Sequence, residues 1–356
     1  MKYIRPAYGD PNIKTCFKKS PFRAGGYEVP IVNDRPIPIR ENFRLAAQCQ
    51  KPLWVPNSNT DFNFAMLYMV NGMPEADWTA KERYYFKDWF GVDWMFVPEA
   101  GGPMLKPNTQ FLDDITEWKE KVIFPNLDDY DFEGYCKRWW ETCDPEKVTH
   151  INIGQGCTER LVALRGGYTD AMCDMALEPE AVRDFLDAFA DWECRIIDKV
   201  CQYLPVDYMT YHDDWGTERD TFFSGVMMED MVFEPTKKIF DHIHEKGAIV
   251  QLHSCGKIER FLPYMVEMGV NTLQIQARAN DFKAYKEKYG DKLALEVMIM
   301  PDPSWGKEQV ISKIHEVVDT YGEGGGLVSS FAGGDPEILW DGTMELYYYS
   351  REKYEG

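Results

Sequence analysis

Residues 247–276 read GAIVQLHSCGKIERFLPYMVEMGVNTLQIQ. An apolar run, Ala248–His253, comes first. A stretch with helical spacing follows over Lys257–Met268, carrying Ile258, Phe261, Leu262, Met265 and Val266 at steps of three and four. Gly269 sits where a left-handed helix C-cap wants glycine, and a second apolar run, Thr272–Gln276, follows it. Strand, helix and strand at this rhythm mean parallel strands joined by a right-handed crossover. Pro263 inside the helical stretch predicts either a kink or a late helix start.

The rhythm extends outward in both directions. Further strand candidates are Asp93–Pro98, His150–Ile153, Tyr208–His212, Leu293–Ile299 and Leu327–Phe331. Amphipathic helices are expected over Glu178–Leu204 and Lys307–Tyr321, and Gly247 and Gly322 are read as further left-handed caps. With one more strand near Leu53–Val55, these candidates make an α/β fold, an eight-stranded (β/α)8 TIM barrel. A doubly wound open sheet is the competitor. Its nucleotide signatures are missing: no GxGxxG follows the first strand, and neither GxxxxGKS nor GxxxxGKT occurs. Without repeats or low-complexity linkers, a single domain over residues 1–356 is expected. Residues 1–75 read as an irregular or helical N-terminal extension leading into the barrel, with short helices such as Pro38–Gln50; residues 76–345 read as the rest of the barrel.

Composition narrows the function. Against 39 Lys+Arg stand 59 Asp+Glu, a net charge of −20, and no basic run offsets it. Such a chain repels phosphate backbones and anionic membranes, so neither nucleic acid nor membrane is an expected partner. No stretch approaches about 18 uninterrupted apolar residues, and the start has no apolar signal core. Nine scattered cysteines in a long chain fit reduced thiols and a cytoplasmic protein better than a disulfide framework.

In a barrel the chemistry sits at the C-terminal strand ends. Two of these ends are polar: YHDDWGTER over Tyr211–Arg219 and LHSCGK over Leu252–Lys257. His253 and Cys255, two apart in extended chain, share a face and offer an imidazole nitrogen and a thiolate to one metal, both good zinc ligands. A helix beginning at Gly256 would aim its N–H groups at an anion or thiolate there. A chance His-Ser-Cys with a structural role is the alternative. Asp213, Asp214 and Glu218 form a carboxylate cluster that is costly without a cation or a task, and they are the catalytic candidates. Singly, Asp214 could cap a helix and Glu218 could pair with Arg219 or Arg160. His212, Trp215 and Asn57 are the substrate-binding candidates, His212 with the alternative of a satisfied core histidine. Gly324–Gly326 precedes a strand and reads as a loop on the opposite face, whereas Gly333-Gly334-Asp335-Pro336 follows the last strand and is the better site backbone. Of the early aromatic residues (Trp54, Phe62, Phe64, Trp78, Tyr84, Tyr85, Phe86, Trp89, Phe90 and Trp94), most should be core and a few could wall a pocket.

The HDDWGTERD run (212–220) and the block at 247–276 together resemble the uroporphyrinogen decarboxylase superfamily, most closely its corrinoid-dependent methyltransferase branch. DWFGVDWMFVPE (88–99), GCTERLVALRGG (156–167), LEPEAVRDF (177–185), KEKYGDKLALE (286–296) and PIRENFRLAAQCQKPLWVP (38–56) fit the same pattern. The resemblance runs from about Pro38 to Pro336. It implies a (β/α)8 barrel with an N-terminal extension and, in the methyltransferase branch, zinc on a His-x-Cys pair, here His253 and Cys255. The cysteine that usually completes that site near the last strand is absent: the segment reads LVSSFAGGDPE, and no cysteine follows Cys255. The remaining ligands would then come from Glu218, Asp214 or His212, with Glu296 a deeper alternative. True decarboxylases of the family carry an arginine-rich motif after the first strand, where this chain reads PLWVPNSNTDFNF (52–64) with no arginine. A highly anionic porphyrinogen calls for bidentate arginine donors, so the methyltransferase reading ranks above decarboxylation. What the resemblance implies is methyl transfer from a small donor, a methoxylated aromatic or other methyl ether, to a corrinoid carried by a partner protein. A non-catalytic corrinoid- or ligand-binding relative is the third reading, and a homodimer is left open.

Overall fold

The computed structural model describes residues 3–5, 13–20, 23–32, 35–65, 68–74, 77, 80–332 and 336–355. The chain opens with an antiparallel hairpin, β1 (Ile13–Ser20) and β2 (Arg23–Val32). The sequence predicted only irregular and helical structure here. Gly25, Gly26 and Pro30 inside β2 are poor strand formers and disguise it. The helix expected over Pro38–Gln50 spans Ile39–Ala47 and buries Ile39, Phe43, Ala46 and Ala47.

The strand predicted near Leu53–Val55 is not one, because side chains take its backbone partners. The buried amide of Asn42 donates to Trp54 O (2.8 Å) and accepts from Leu53 N (2.8 Å). Val55 N donates to Ser350 Oγ at 3.0 Å. β3 (Phe62–Ala65) enters the main sheet instead, within the stretch read as the extension.

β4 (Tyr84–Lys87), β5 (Asp93–Val97) and β6 (Gly102–Leu105) form a separate antiparallel sheet, so the candidate at Asp93–Pro98 is a strand but not a barrel strand. Asp88 anchors this sheet. It accepts from Phe90 N, Val92 N and Trp94 Nε1, and it pairs with the fully buried Arg160 at 2.5 Å.

The main sheet continues with β7 (Val148–Ile153), β8 (Tyr208–His212), β9 (Ile249–Ser254), β10 (Thr272–Ile275), β11 (Ala294–Ile299) and β12 (Leu327–Phe331). Its order is β12-β11-β10-β9-β8-β7-β3 and every pairing is parallel. The architecture is therefore α/β with a seven-stranded parallel sheet among the described residues. The sheet curls strongly. Gln251 on β9 reaches over β10 to donate to Glu296 on β11 at 2.6 Å, although next-nearest strands in a flat sheet stand about 9.6 Å apart. Tyr208 on β8 likewise reaches Thr272 on β10 at 2.8 Å.

Alternation sorts the side chains. Ile151, Met209, Val250, Leu273, Leu295 and Leu327 face outward into the core shared with the helices. Its largest helical contributor, Pro179–Tyr203, within the span expected to be an amphipathic helix, buries Val182, Phe185, Leu186, Phe189, Trp192, Ile196 and Val200. Facing inward are Phe62, His150, Tyr208, Thr210, Gln251, Thr272 and Glu296, joined by ring contacts and hydrogen bonds.

Gly247 and Gly269 take positive φ as expected. Gly322 does not: it ends its helix in the right-handed region (φ −84°), and the left-handed turn falls on Gly324–Gly326. A Cβ on Gly325 would meet Gln50 O at 2.2 Å.

Candidate functional site

β8 and β9 lie side by side, and His212 and His253 are register partners at their C-terminal ends. Their rings stack face to face, with centroids 4.1 Å apart and planes 7° from parallel. Each is held at Nδ1. Gln274, the register partner of His253 on β10, accepts from its Nδ1 at 2.8 Å. Glu159 Oε2 lies 3.4 Å from Nδ1 of His212. With Nδ1 engaged, the ring nitrogen left for a ligand is Nε2 in both cases.

Nε2 of His253 points at Cys255 Sγ (3.7 Å) and Asp214 Oδ1 (3.9 Å). Ligand-type atoms of His212, Asp214 and His253 all lie within 4.8 Å of one another. Tetrahedral zinc with bonds of about 2.0–2.3 Å sets its ligands roughly 3.3–3.8 Å apart, so these spacings lie close to one coordination sphere. The donors are zinc donors: two imidazoles, a carboxylate and a thiol.

Close backbone packing fixes the two loops that carry these groups. Gly256 has φ +77°, and a Cβ there would meet Gly216 O at 2.2 Å, so both loops need glycine where they touch. No helix begins at Gly256. A 3-10 turn, Glu259–Phe261, leads into a helix over Leu262–Glu267 with Pro263 in its first turn, the late start rather than the kink. The N–H groups around Cys255 are all engaged: Cys255 N with Asp214 Oδ1 (2.7 Å), Gly256 N with Gln276, Lys257 N with Thr217 O and Ile258 N with Asn280. The expected N–H array for a thiolate is therefore absent. Burial and the neighbouring Asp214 carboxylate push the Cys255 thiol up to about 12, so without a cation it is a thiol.

Burial, then repulsion from Asp214, raises Glu159 well above the usual carboxylate range. Burial, then His212, lowers His253 to about 4, and burial lowers His212. Both rings are thus neutral at pH 7, the form that binds a metal.

The other candidates lie elsewhere. Asp213 is fully buried and accepts from Thr158 N, Thr158 Oγ1, Glu159 N and Trp215 Nε1, which makes it the anchor of the helix Cys157–Leu164. Burial, then Glu159, raises it to about 7. Trp215 is also fully buried, packed edge-on against Phe261, and belongs to the core rather than to a pocket wall. Glu218 is exposed and pairs across the surface with Arg278 at 3.0 Å, neither with Arg219 nor with Arg160. Asn57 caps the short helix Ser58–Asp61, accepting from Asn59 N at 3.0 Å. Glu296 is buried one layer deeper and bonded to Gln251. Gly333, Gly334 and Asp335, and Trp78 among the aromatic residues, lie outside the described residues. The eight cysteines with described side chains are all free.

Sequence reading passed over Glu159 and Gln274. The signal for Gln274 was present: Thr272-Leu273-Gln274-Ile275-Gln276 places amides at alternate positions of an otherwise apolar strand. Glu159 carried no signal, because only the fold brings its helix to the end of β8.

Comparisons with known proteins bear on fold and family. Among solved structures, a methyltransferase from Methanosarcina mazei superposes with a TM-score of 0.63 at 11% identity, covering 90% of this chain and 100% of that one. At that identity the likeness speaks to fold alone. An endo-1,4-beta-xylanase from Caldicellulosiruptor owensensis matches with a TM-score of 0.30 at 11% identity over 62% of this chain and 76% of that one, too low to carry an argument. No curated protein matches. No helix among the described residues is long and apolar enough to cross a membrane. A protein-family model described as Uroporphyrinogen decarboxylase (URO-D) matches residues 157–334, half of the chain, and that span contains every residue of the constellation at the ends of β8 and β9. The chain belongs to the uroporphyrinogen decarboxylase family.

Proposed function

We propose that this protein is a methyltransferase of that family. It would take a methyl group from a small donor, a methoxylated aromatic or other methyl ether, and deliver it to the cobalt of a corrinoid held by a partner protein. The observation that carries the reading is the convergence of His212, Asp214, His253 and Cys255 at two adjacent strand ends. Those four would hold zinc, which supplies Lewis acidity toward an ether oxygen. Cys255 is the only thiol among them, and oxygen and nitrogen donors suit activation of an oxygen-bearing donor. Asp214 orients the thiol by accepting from Cys255 N. Glu159, its carboxyl pushed up by burial and then by Asp214, lies 3.4 Å from Nδ1 of His212.

Charge favours this reading over decarboxylation. No lysine or arginine occupies an inward-facing position on the described strands of the main sheet. A porphyrinogen with several carboxylates would meet Asp214 and Glu296, with no lysine or arginine on those described strands to receive it.

We also read the sheet as the larger part of a (β/α)8 barrel in a single domain. Residues 56–59 lie along the free edge of β12: Ser329 N donates to Pro56 O at 2.9 Å, Asn57 bridges Ser329, and the Asn59 amide bonds both N and O of Phe331.

The test is metal analysis and turnover. Purified protein should hold about one zinc and methylate cobalamin reduced to its lowest state from a methoxylated aromatic. His253→Ala should lose both. Equal metal in the two proteins removes the site; turnover of a porphyrinogen replaces the reading.

A further inference from the structure

Resting on the metal-site reading above, we infer that Gln274 and Glu159 are a matched pair of positioning residues, acting through His253 and His212 to present both Nε2 atoms to one ion.

The two histidines are stacked and parallel, so neither ring is held by edge contacts with the other. A stacked imidazole can still turn in its own plane or flip by 180°. A flip would put Cε1 where Nε2 was and Cδ2 where Nδ1 was, and so take the lone pair out of the site. What opposes it is one acceptor behind each ring. Gln274 Oε1 sits 2.8 Å from Nδ1 of His253, and Glu159 Oε2 sits 3.4 Å from Nδ1 of His212. The acceptors come from opposite sides of the ring pair: Gln274 from β10, beyond His253, and Glu159 from the helix Cys157–Leu164, which follows β7, beyond His212.

Both supports are themselves anchored. Gln274 is fixed by strand pairing, and Gln276, two positions on, accepts from Gly256 N at 3.2 Å; one strand thus sets both the ring of His253 and the loop of Cys255. Glu159 is fixed through its own N–H, which donates to the buried Asp213 at 2.9 Å. Asp213 therefore sets the carboxyl behind His212 without touching the site. Asp214 closes the frame, its Oδ1 accepting from Cys255 N while facing Nε2 of His253.

The shorter contact should matter more. Removing an outer partner of a metal-bound histidine typically costs ten- to a hundredfold in metal affinity. The experiment is a Co(II) titration of full-length protein, with zinc competition and the visible cobalt spectrum as readouts. Gln274→Leu should bind Co(II) roughly ten- to a hundredfold more weakly, with an altered spectrum, while its metal-free form melts close to wild type. Gln274→Glu keeps the acceptor and should bind at least as tightly as wild type. Glu159→Leu should show the smaller loss of the two, and Glu159→Gln should recover most of it. Should Gln274→Leu fail to fold, Gln274→Met has similar length, lacks the acceptor and carries the same expectation. Wild-type affinity and spectrum in Gln274→Leu, with binding lost in His253→Ala, overturn the positioning role and leave the metal site standing. No Co(II) uptake by the wild type overturns both.

Discussion

Two polar constellations line the inward face of the curled sheet, one layer apart. The deep one runs His150, Thr210, Gln251, Glu296. His150 Nε2 donates to Thr210 (2.6 Å), Thr210 donates to Gln251 (2.7 Å), and Gln251 donates to Glu296 (2.6 Å). Every donor points toward one carboxyl group, so the hydrogen bonds reinforce one another. The upper one is His212, Asp214, His253 and Cys255. Its histidines are held on the far side, through Glu159 and Gln274, and the members converge on the near side. The first arrangement is what the inward face of a curled sheet needs to bury polar groups. The second turns its ligand-type atoms toward one another at the strand ends, and residue type alone does not separate the two.

Substitutions break this contrast in graded ways. His253→Ala should have the largest effect, loss of bound metal and of methyl transfer with little change in melting temperature, read by metal analysis and turnover. Gln251→Leu should do the reverse. It strips Glu296 and Thr210 of their partner, costs about 3 kcal/mol by urea unfolding, and leaves metal affinity at the wild-type level. Asp213→Asn should weaken the capped helix by about 1–3 kcal/mol, since an amide has one acceptor oxygen for four donors.

A pH effect comes next. Burial lowers His150 to about 3, against an unfolded value of about 6.5. Between those values the unfolded chain binds the extra proton, so stability falls on acidification from about pH 6.5, by up to about 1.4 kcal/mol per unit. Unfolding at pH 5 and pH 7 should show a slope that His150→Gln reduces. The smallest effect belongs to Glu218→Gln. That exposed pair with Arg278 should move stability by less than about 1 kcal/mol and metal binding not at all.

How far this contrast was legible in the sequence differs between its parts. Short apolar runs exposed β7 to β12 and period-3.6 patterns the long helices, because these are buried on whole faces. They did not expose β3, whose Phe62-Asn63-Phe64-Ala65 is too short to stand out, nor the reassignment of Asp93–Val97 to a side sheet. Leu53–Val55 looked like a strand, and only the structure reveals Asn42 and Ser350 occupying its backbone. At the site, His253 and Cys255 stood out by their place between an apolar run and a helical stretch and by the family resemblance, more than by spacing alone. Asp213, Asp214 and Glu218 did not separate, because adjacent carboxylates read alike until one is seen buried under four donors, one facing an imidazole and one in solvent. Gln274 showed only as an amide at an alternate position of an apolar strand, and Glu159 comes from a separate helix, where short-range spacing says nothing.

The central claim is that two imidazoles, one carboxylate and one thiolate surround a single ion. X-ray absorption at the zinc edge of the metal-loaded protein tests it most directly. The account predicts one sulfur at about 2.3 Å, with the rest of the shell nitrogen and oxygen at about 2.0–2.2 Å. A shell with no sulfur, or with two or more, would contradict it.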